Sequence, residues 1–150
     1  MSRLAIKQLD KRLNQFGQLG DLTRPAKGWV RAIRDALGMT TQQLAKRLNV
    51  SQSRISALEK AEVEEVVTLA TLRRAAQALN CTLVYAIVPR QSLESQVMEH
   101  ARSMAAKNLS RVNHTMRLEN QAVDEEELSH AREKLALELA ENPRRLWDDA

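Results

Sequence analysis

The sequence predicts a mainly α-helical protein of 150 residues, with one short strand between two helical parts. Three observations lead there. Residues 40–60 carry apolar positions at helical spacing on either side of a tight polar turn. Residues 82–88, Thr-Leu-Val-Tyr-Ala-Ile-Val, are rich in β-branched side chains and end at Pro89, as a strand would. Residues 92–150 contain no Gly and a single Pro, Pro143, which leaves long helices uninterrupted.

At the N-terminus, Ile6, Leu9, Leu13 and Phe16 recur every three or four residues, so residues 2–16 are expected as an amphipathic helix. Gly17, Gly20, Pro25 and Gly28 then mark a loop. A helix from Gly28 to Leu37 follows, with Trp29 near its start as a packing anchor rather than a base-stacking residue.

The next two helices carry the densest signal. Thr40 is an N-cap and Gln43, three residues on, completes a capping box. Leu44, Ala45 and Leu48 share one face, and the small Ala45 lets a second helix cross closely. Asn49 stands where the chain must turn with positive φ, which Asn tolerates better than most residues. Val50 plugs the corner, Ser51 caps the following helix, and Ile55 and Leu58 bury its inner side. That leaves Gln52, Ser53, Arg54, Ser56 and Ala57 pointing outward. A helix so equipped can enter a DNA major groove, its first residues nearest the bases. Gln pairs with adenine and Arg with guanine, each contact giving about 1–3 kcal/mol of discrimination. Thr41 and Ser51, at helix N-termini, suit phosphate oxygens, and Gln42 lies beside Thr41 on the same approach.

The pattern Thr-x-x-x-Leu-Ala-x-x-Leu-x-Val-Ser-Gln-Ser-x-Ile-Ser-x-Leu-Glu, over residues 40–59, resembles the Xre/Cro/C1-type helix-turn-helix family. With a fourth core helix from Thr68 to Leu79, the resemblance implies an Xre/lambda-repressor-like helix-turn-helix domain that binds double-stranded DNA. The expected boundaries are 1–27 for the N-terminal helix and loop, 28–90 for the DNA-binding domain with its terminal strand, and 91–150 for a C-terminal helical module that binds a partner.

A lone strand at 82–88 leaves its backbone unpaired. The economical partner is the same strand of a second subunit, giving a homodimer whose two-fold axis matches two half-sites. Pairing within the chain to residues 62–67, Glu-Val-Glu-Glu-Val-Val, is the other solution.

In the C-terminal module Ser92 caps a long helix carrying Leu93, Val97, Met104, Leu109, Val112 and Met116. Asp124 and Glu127 start another, through Leu128, Leu135 and Leu139, which Asn142-Pro143 ends. Leu146-Trp147 then fold back. Two helices make a small core, so the module is expected to pack on the first domain or on a partner.

Charge is uneven. Residues 1–60 hold 12 Lys/Arg against 4 Asp/Glu, while residues 61–150 hold 11 against 15. The basic half suits phosphate and the acidic half suits a protein partner. Cys81 is alone, so no disulfide within the chain and no metal cluster is expected, and His100, His114 and His130 are widely spaced. No apolar run approaches the roughly 20 residues of a membrane span, and charges interrupt any signal-like N-terminus. A cytoplasmic protein without cofactor or metal is expected. There is no Gly-rich phosphate loop, paired His or Cys–His grouping, so the chain is not expected to be an enzyme.

One further motif lies in the long helix. Thr115-Met-Arg-Leu-Glu119-Asn120 places a hydroxyl and a carboxylate one turn apart on the same face. The sextet resembles the inhibitory motif of Fic-domain regulation, [Ser/Thr]-x-x-x-Glu-[Gly/Asn]. By that resemblance Glu119 would pair with an Arg of a Fic adenylyltransferase and displace the γ-phosphate of ATP, with Thr115 positioning the helix and Asn120 at its end. The whole chain, including Lys27-Gly-Trp-Val-Arg-Ala-Ile-Arg, Val67-Thr-Leu-Ala-Thr-Leu-Arg-Arg-Ala-Ala and Pro143-Arg-Arg-Leu-Trp-Asp-Asp, is similar to the mobile mystery protein A family. That resemblance implies a Fic-domain partner and a toxin–antitoxin-like pair. The expectation is an antitoxin-like regulator that binds its operator and inhibits a Fic partner. The alternative is a sequence-specific repressor alone, whose C-terminal helices serve dimerisation.

Overall fold

The computed structural model describes residues 3–118 and 124–148. Seven α-helices are found among them: α1 (Arg3–Leu13), α2 (Trp29–Ala36), α3 (Thr41–Leu48), α4 (Gln52–Val63), α5 (Leu69–Ala78), α6 (Leu93–Leu118) and α7 (Glu125–Glu141). Two 3-10 helices, Asn14–Leu19 and Pro143–Trp147, complete the regular structure. The chain divides into two compact units, residues 21–86 and residues 1–20 with 87–150.

The first unit holds α2 to α5 around a core of Val30, Leu44, Ala45, Ile55, Ala75 and Leu79. Local chemistry fixes each boundary. At Thr40 both bonds of the capping box form: the Gln43 amide donates to Thr40 Oγ1 (3.1 Å) and the Thr40 amide to Gln43 Oε1 (2.8 Å). Asn49 adopts φ 54°, and the Val50 amide reaches back to the Ala45 carbonyl at 3.0 Å, closing α3. Ser51 and Thr68 cap α4 and α5 by accepting from the amides of Arg54 and Thr71. Leu44 and Ile55 are fully buried, so the two helices meet across the apolar faces read from the sequence.

The second unit packs α6 against α7 through three fully buried alanines, Ala101, Ala105 and Ala136, with Leu146 beside them. Small side chains spaced by four let two helix backbones approach closely. Asn142 ends α7 before Pro143, and the following turn carries Leu146 into this core. Helix α1 belongs here too. Both Asp10 carboxylate oxygens accept from the first amides of α6, at Leu93 (2.7 Å) and Glu94 (3.0 Å). Ser92 supplies the expected cap, its hydroxyl accepting from Ser95 at 3.1 Å. The N-terminal segment set apart at 1–27 therefore has its helix grouped with residues 87–150. It was invisible to local reading because its partner lies some eighty residues away. Helix α1 is also shorter than expected; it gives way to the 3-10 turn at Asn14, and Leu9 is exposed.

The strand is a correction. Residues 82–88 form no strand among the described residues. The β-forming side chains are present, but a strand needs a hydrogen-bonding neighbour, and a single copy supplies none. The pairing with residues 62–67 fails for a definite reason. Helix α4 continues to Val63, and Glu65 turns with φ 60° while the Val66 amide bonds the Ala61 carbonyl at 3.0 Å. That segment is a helix end, not an edge.

Candidate nucleic-acid interface

Helix α4 carries the outward polar row, and charged residues buried beneath it hold it in place. Arg34 of α2 donates from Nε to Glu59 Oε1 at 2.6 Å and from Nη2 to Oε2 at 3.3 Å. Its Nη1 reaches the Met39 carbonyl at 2.8 Å, so one guanidinium ties α2, α4 and the loop before α3. Both side chains are buried. The Glu59 hydrogen bond, helped by the negative charges of Glu59 and Asp35, holds Arg34 above its ordinary pKa although burial opposes this.

A second carboxylate anchors the far end of α4. Glu62 Oε1 accepts from the amides of Trp29 and Val30, each at 3.1 Å, and so caps α2 from another helix. This close approach needs Gly28: a Cβ there would stand 2.2 Å from Glu62 Oε2, and the backbone already has φ 85°. Arg24 closes the C-terminal end of α4 by donating to the carbonyls of Glu62 (2.6 Å) and Val63 (3.2 Å). The sequence points to none of these contacts: Arg24 and Arg34 have no role in it, Glu59 only closes the helix-turn-helix pattern, and Glu62 falls in a candidate strand. Each pairs across separate helices, and spacing along the chain carries no trace of such a pairing.

The residues expected to face DNA are brought together at the N-terminal end of α4. Gln42, Ser51, Gln52, Ser53, Arg54 and Ser56 are exposed, and Thr41 is partly buried beside them. Gln52 Nε2 donates to Thr41 Oγ1 at 2.8 Å, joining the starts of α3 and α4 in one polar surface. The Ser51 and Ser53 hydroxyls are 3.0 Å apart. The Arg54 guanidinium has no protein partner among the described residues, and it lines a groove with Thr68, Thr71 and Arg74. In the sequence Thr68 marks only the start of a helix, and nothing there assigns Thr71 or Arg74 a part in binding. Arg47, by contrast, is occupied with the Ala78 carbonyl at 3.0 Å. Trp29, expected as a packing anchor, is 43% exposed.

Of the second motif, Thr115 is exposed on α6, and its hydroxyl donates to the Arg111 carbonyl at 3.1 Å. Glu119 and Asn120 lie outside the described residues. His100 stacks on Trp147 with ring centroids 4.5 Å apart and bonds the Leu146 carbonyl, while His114 and His130 are exposed. Among the described residues no acidic, His and Cys side chains gather as metal ligands, and no helix is long and apolar enough to cross a membrane.

An exposed polar helix start, free arginine included, over a rigid apolar turn is the surface that groove recognition requires. The chain matches no curated protein and no solved structure. Residues 30–85 match the family model described as helix-turn-helix. This segment, α2 to α5 with the chain beyond, is a helix-turn-helix domain, and its presence supports a DNA-binding transcriptional regulator.

Proposed function

We propose that this protein is a sequence-specific repressor that reads its operator with the start of α4. Gln52, Ser53, Arg54 and Ser56 face the base edges, while Thr41, Gln42 and Ser51 hold phosphates at the helix N-termini. The observation that carries the reading is the Thr41–Gln52 hydrogen bond beside the unpaired Arg54, a pre-set polar surface with a free guanidinium. The protein acts by occupying DNA and not by catalysis. Selection from a random duplex pool tests it. A single enriched sequence whose binding weakens with salt is the expected result, because phosphate contacts release counterions. Enrichment of nothing above the starting pool sinks the proposal.

The C-terminal module gives the reading its second half, and here support comes from the sextet and the whole-chain resemblance. The module binds a Fic adenylyltransferase, and Glu119 neutralises the arginine that would orient the γ-phosphate. The full chain then behaves as an antitoxin-like regulator. AMP transfer by the Fic enzyme is expected to fall when this protein is added and to recover with Glu119→Ala. Equal inhibition by both would move the inhibitory contact elsewhere, and no inhibition by either leaves a repressor alone.

A further inference from the structure

Eight consecutive residues, 82–89, make no backbone hydrogen bond among the described residues. Their side chains are those of a strand, yet Val84 is 66% exposed, Tyr85 63% and Ile87 89%. Such a run is a sheet edge in search of a neighbour. Its start is fixed to the helix-turn-helix core: the Cys81 amide bonds the Ala76 carbonyl at 2.8 Å, and Cys81 packs on the core cluster. No residue from Cys81 to Pro89 carries a charge.

We infer that this segment is the interface between two copies of the chain, which join as an antiparallel two-stranded ladder with its two-fold axis near Tyr85. The chemistry selects this occupant. A charged peptide would find no opposite charge on this segment, whereas the segment is its own complement: Leu83 of one copy stands opposite Ile87 of the other. Antiparallel pairing also sets Arg90 across from Asn80, while parallel pairing in register would stack Arg90 on Arg90. Pairing the same segment about one axis closes the assembly at two copies. Because each segment starts rigidly from the end of α5, the ladder sets the separation of the two α4 helices. The inference deepens the repressor reading by naming the partner that supplies the second α4, and its test separates the two.

Cysteines placed singly from 82 to 88 in a Cys81→Ser background, oxidised and resolved by mass, map the ladder. Facing residues of an antiparallel pair lie roughly 4.5–5.5 Å apart between Cα atoms, within disulfide reach. One cross-linking maximum near Tyr85→Cys, falling on both sides, is expected. Cross-linking at alternate positions along the whole segment would mean a parallel pair and overturn the inference. Val84→Pro made together with Ile87→Pro removes a ladder amide whichever alternate set of residues bonds across the axis, and neither amide has a bond among the described residues. It is expected to give monomers with unchanged helical content and unchanged binding to one half-site. Affinity for an operator with two half-sites should then fall by about a hundredfold or more. A dimer that survives the double proline variant, with no cross-linking in the scan, would place the interface elsewhere. A cross-linked dimer that binds no DNA would instead sink the repressor reading and leave this one standing.

Discussion

Both units of this chain carry ion pairs at the surface, but they differ in whether they also bury charge. In the helix-turn-helix unit, Arg34, Glu59 and Glu62 are buried and joined to backbone or to each other. In the helical module the ion pairs among the described residues lie at the surface: Arg3 with Glu94 and Glu141, Lys7 with Glu94, and Arg102 with Glu133. The module's interior is alanine and leucine instead. Buried charge demands one geometry, since a misplaced partner is left desolvated and unpaired. That suits a unit whose recognition helix must be held at a fixed inclination. Close packing of alanines gives a hairpin without that constraint, and exposed pairs add little. Net charge separates the units as well. Residues 21–86 hold 10 Lys/Arg against 6 Asp/Glu, an excess of four, while the other unit holds 13 against 13. All of the excess positive charge therefore belongs to the helix-turn-helix unit.

The largest effect should come from breaking the buried pair. Glu59→Ala strips the buried Arg34 Nε and Nη2 of their acceptor and leaves only Asp35 and the Met39 carbonyl at Nη1, and about 3 kcal/mol of stability is expected to be lost from the helix-turn-helix unit. Hydrogen exchange on the full chain checks the comparison, because protection should fall across α2 to α5 while α6 and α7 keep theirs. Leu146→Ala makes the converse cut. A fully buried leucine leaves a cavity among three alanines that have little to fill it with, and roughly 3 kcal/mol is expected from the module alone. Loss of protection in both units would show that they unfold together and would remove the contrast drawn above.

Binding should respond where stability does not. Arg54→Ala is expected to cost about 2 kcal/mol of operator affinity and to relax preference at one base position, with the unfolding midpoint unchanged. Uniform weakening on every sequence would make Arg54 a phosphate contact. The smallest effect is expected at the joint of α1. Asp10→Ala removes the carboxylate that caps α6 and should cost about 1 kcal/mol, read as increased exchange at the first turn of α6. Increased exchange at α3 or α4 would contradict the grouping of α1 with the module.

The helix-turn-helix was legible because its determinants are local. Thr40 with Gln43, Asn49, Ser51 and the Leu44–Ala45–Ile55 face each act within a few residues. Capping chemistry and apolar period state them directly. The second module was legible only in outline. Asp124, Asn142 and Pro143 marked its ends, but the longer side chains of α6 drew attention from Ala101 and Ala105, which fill the core. Alanine gives no signal in a pattern of large apolar residues, and only a neighbouring helix shows that a small side chain was needed. Dividing charge at residue 60 also misled. It assigned basic α1 to the DNA-facing part, whereas Arg3 and Lys7 sit against Glu94.

By itself, then, the sequence determined the turn, its caps, the outward row from Gln52 to Ser56, the start of α6 and both ends of α7. These are short-range choices, made by hydrogen bonds and φ preferences that reach three or four residues. Tertiary structure alone decided that α1 joins α6 and α7, that Glu62 caps α2, and that α4 is locked by Arg34 and Glu59. It also withheld the strand. Each of these depends on which distant group arrives, and a hydrogen bond or ion pair between helices leaves no periodicity along the chain.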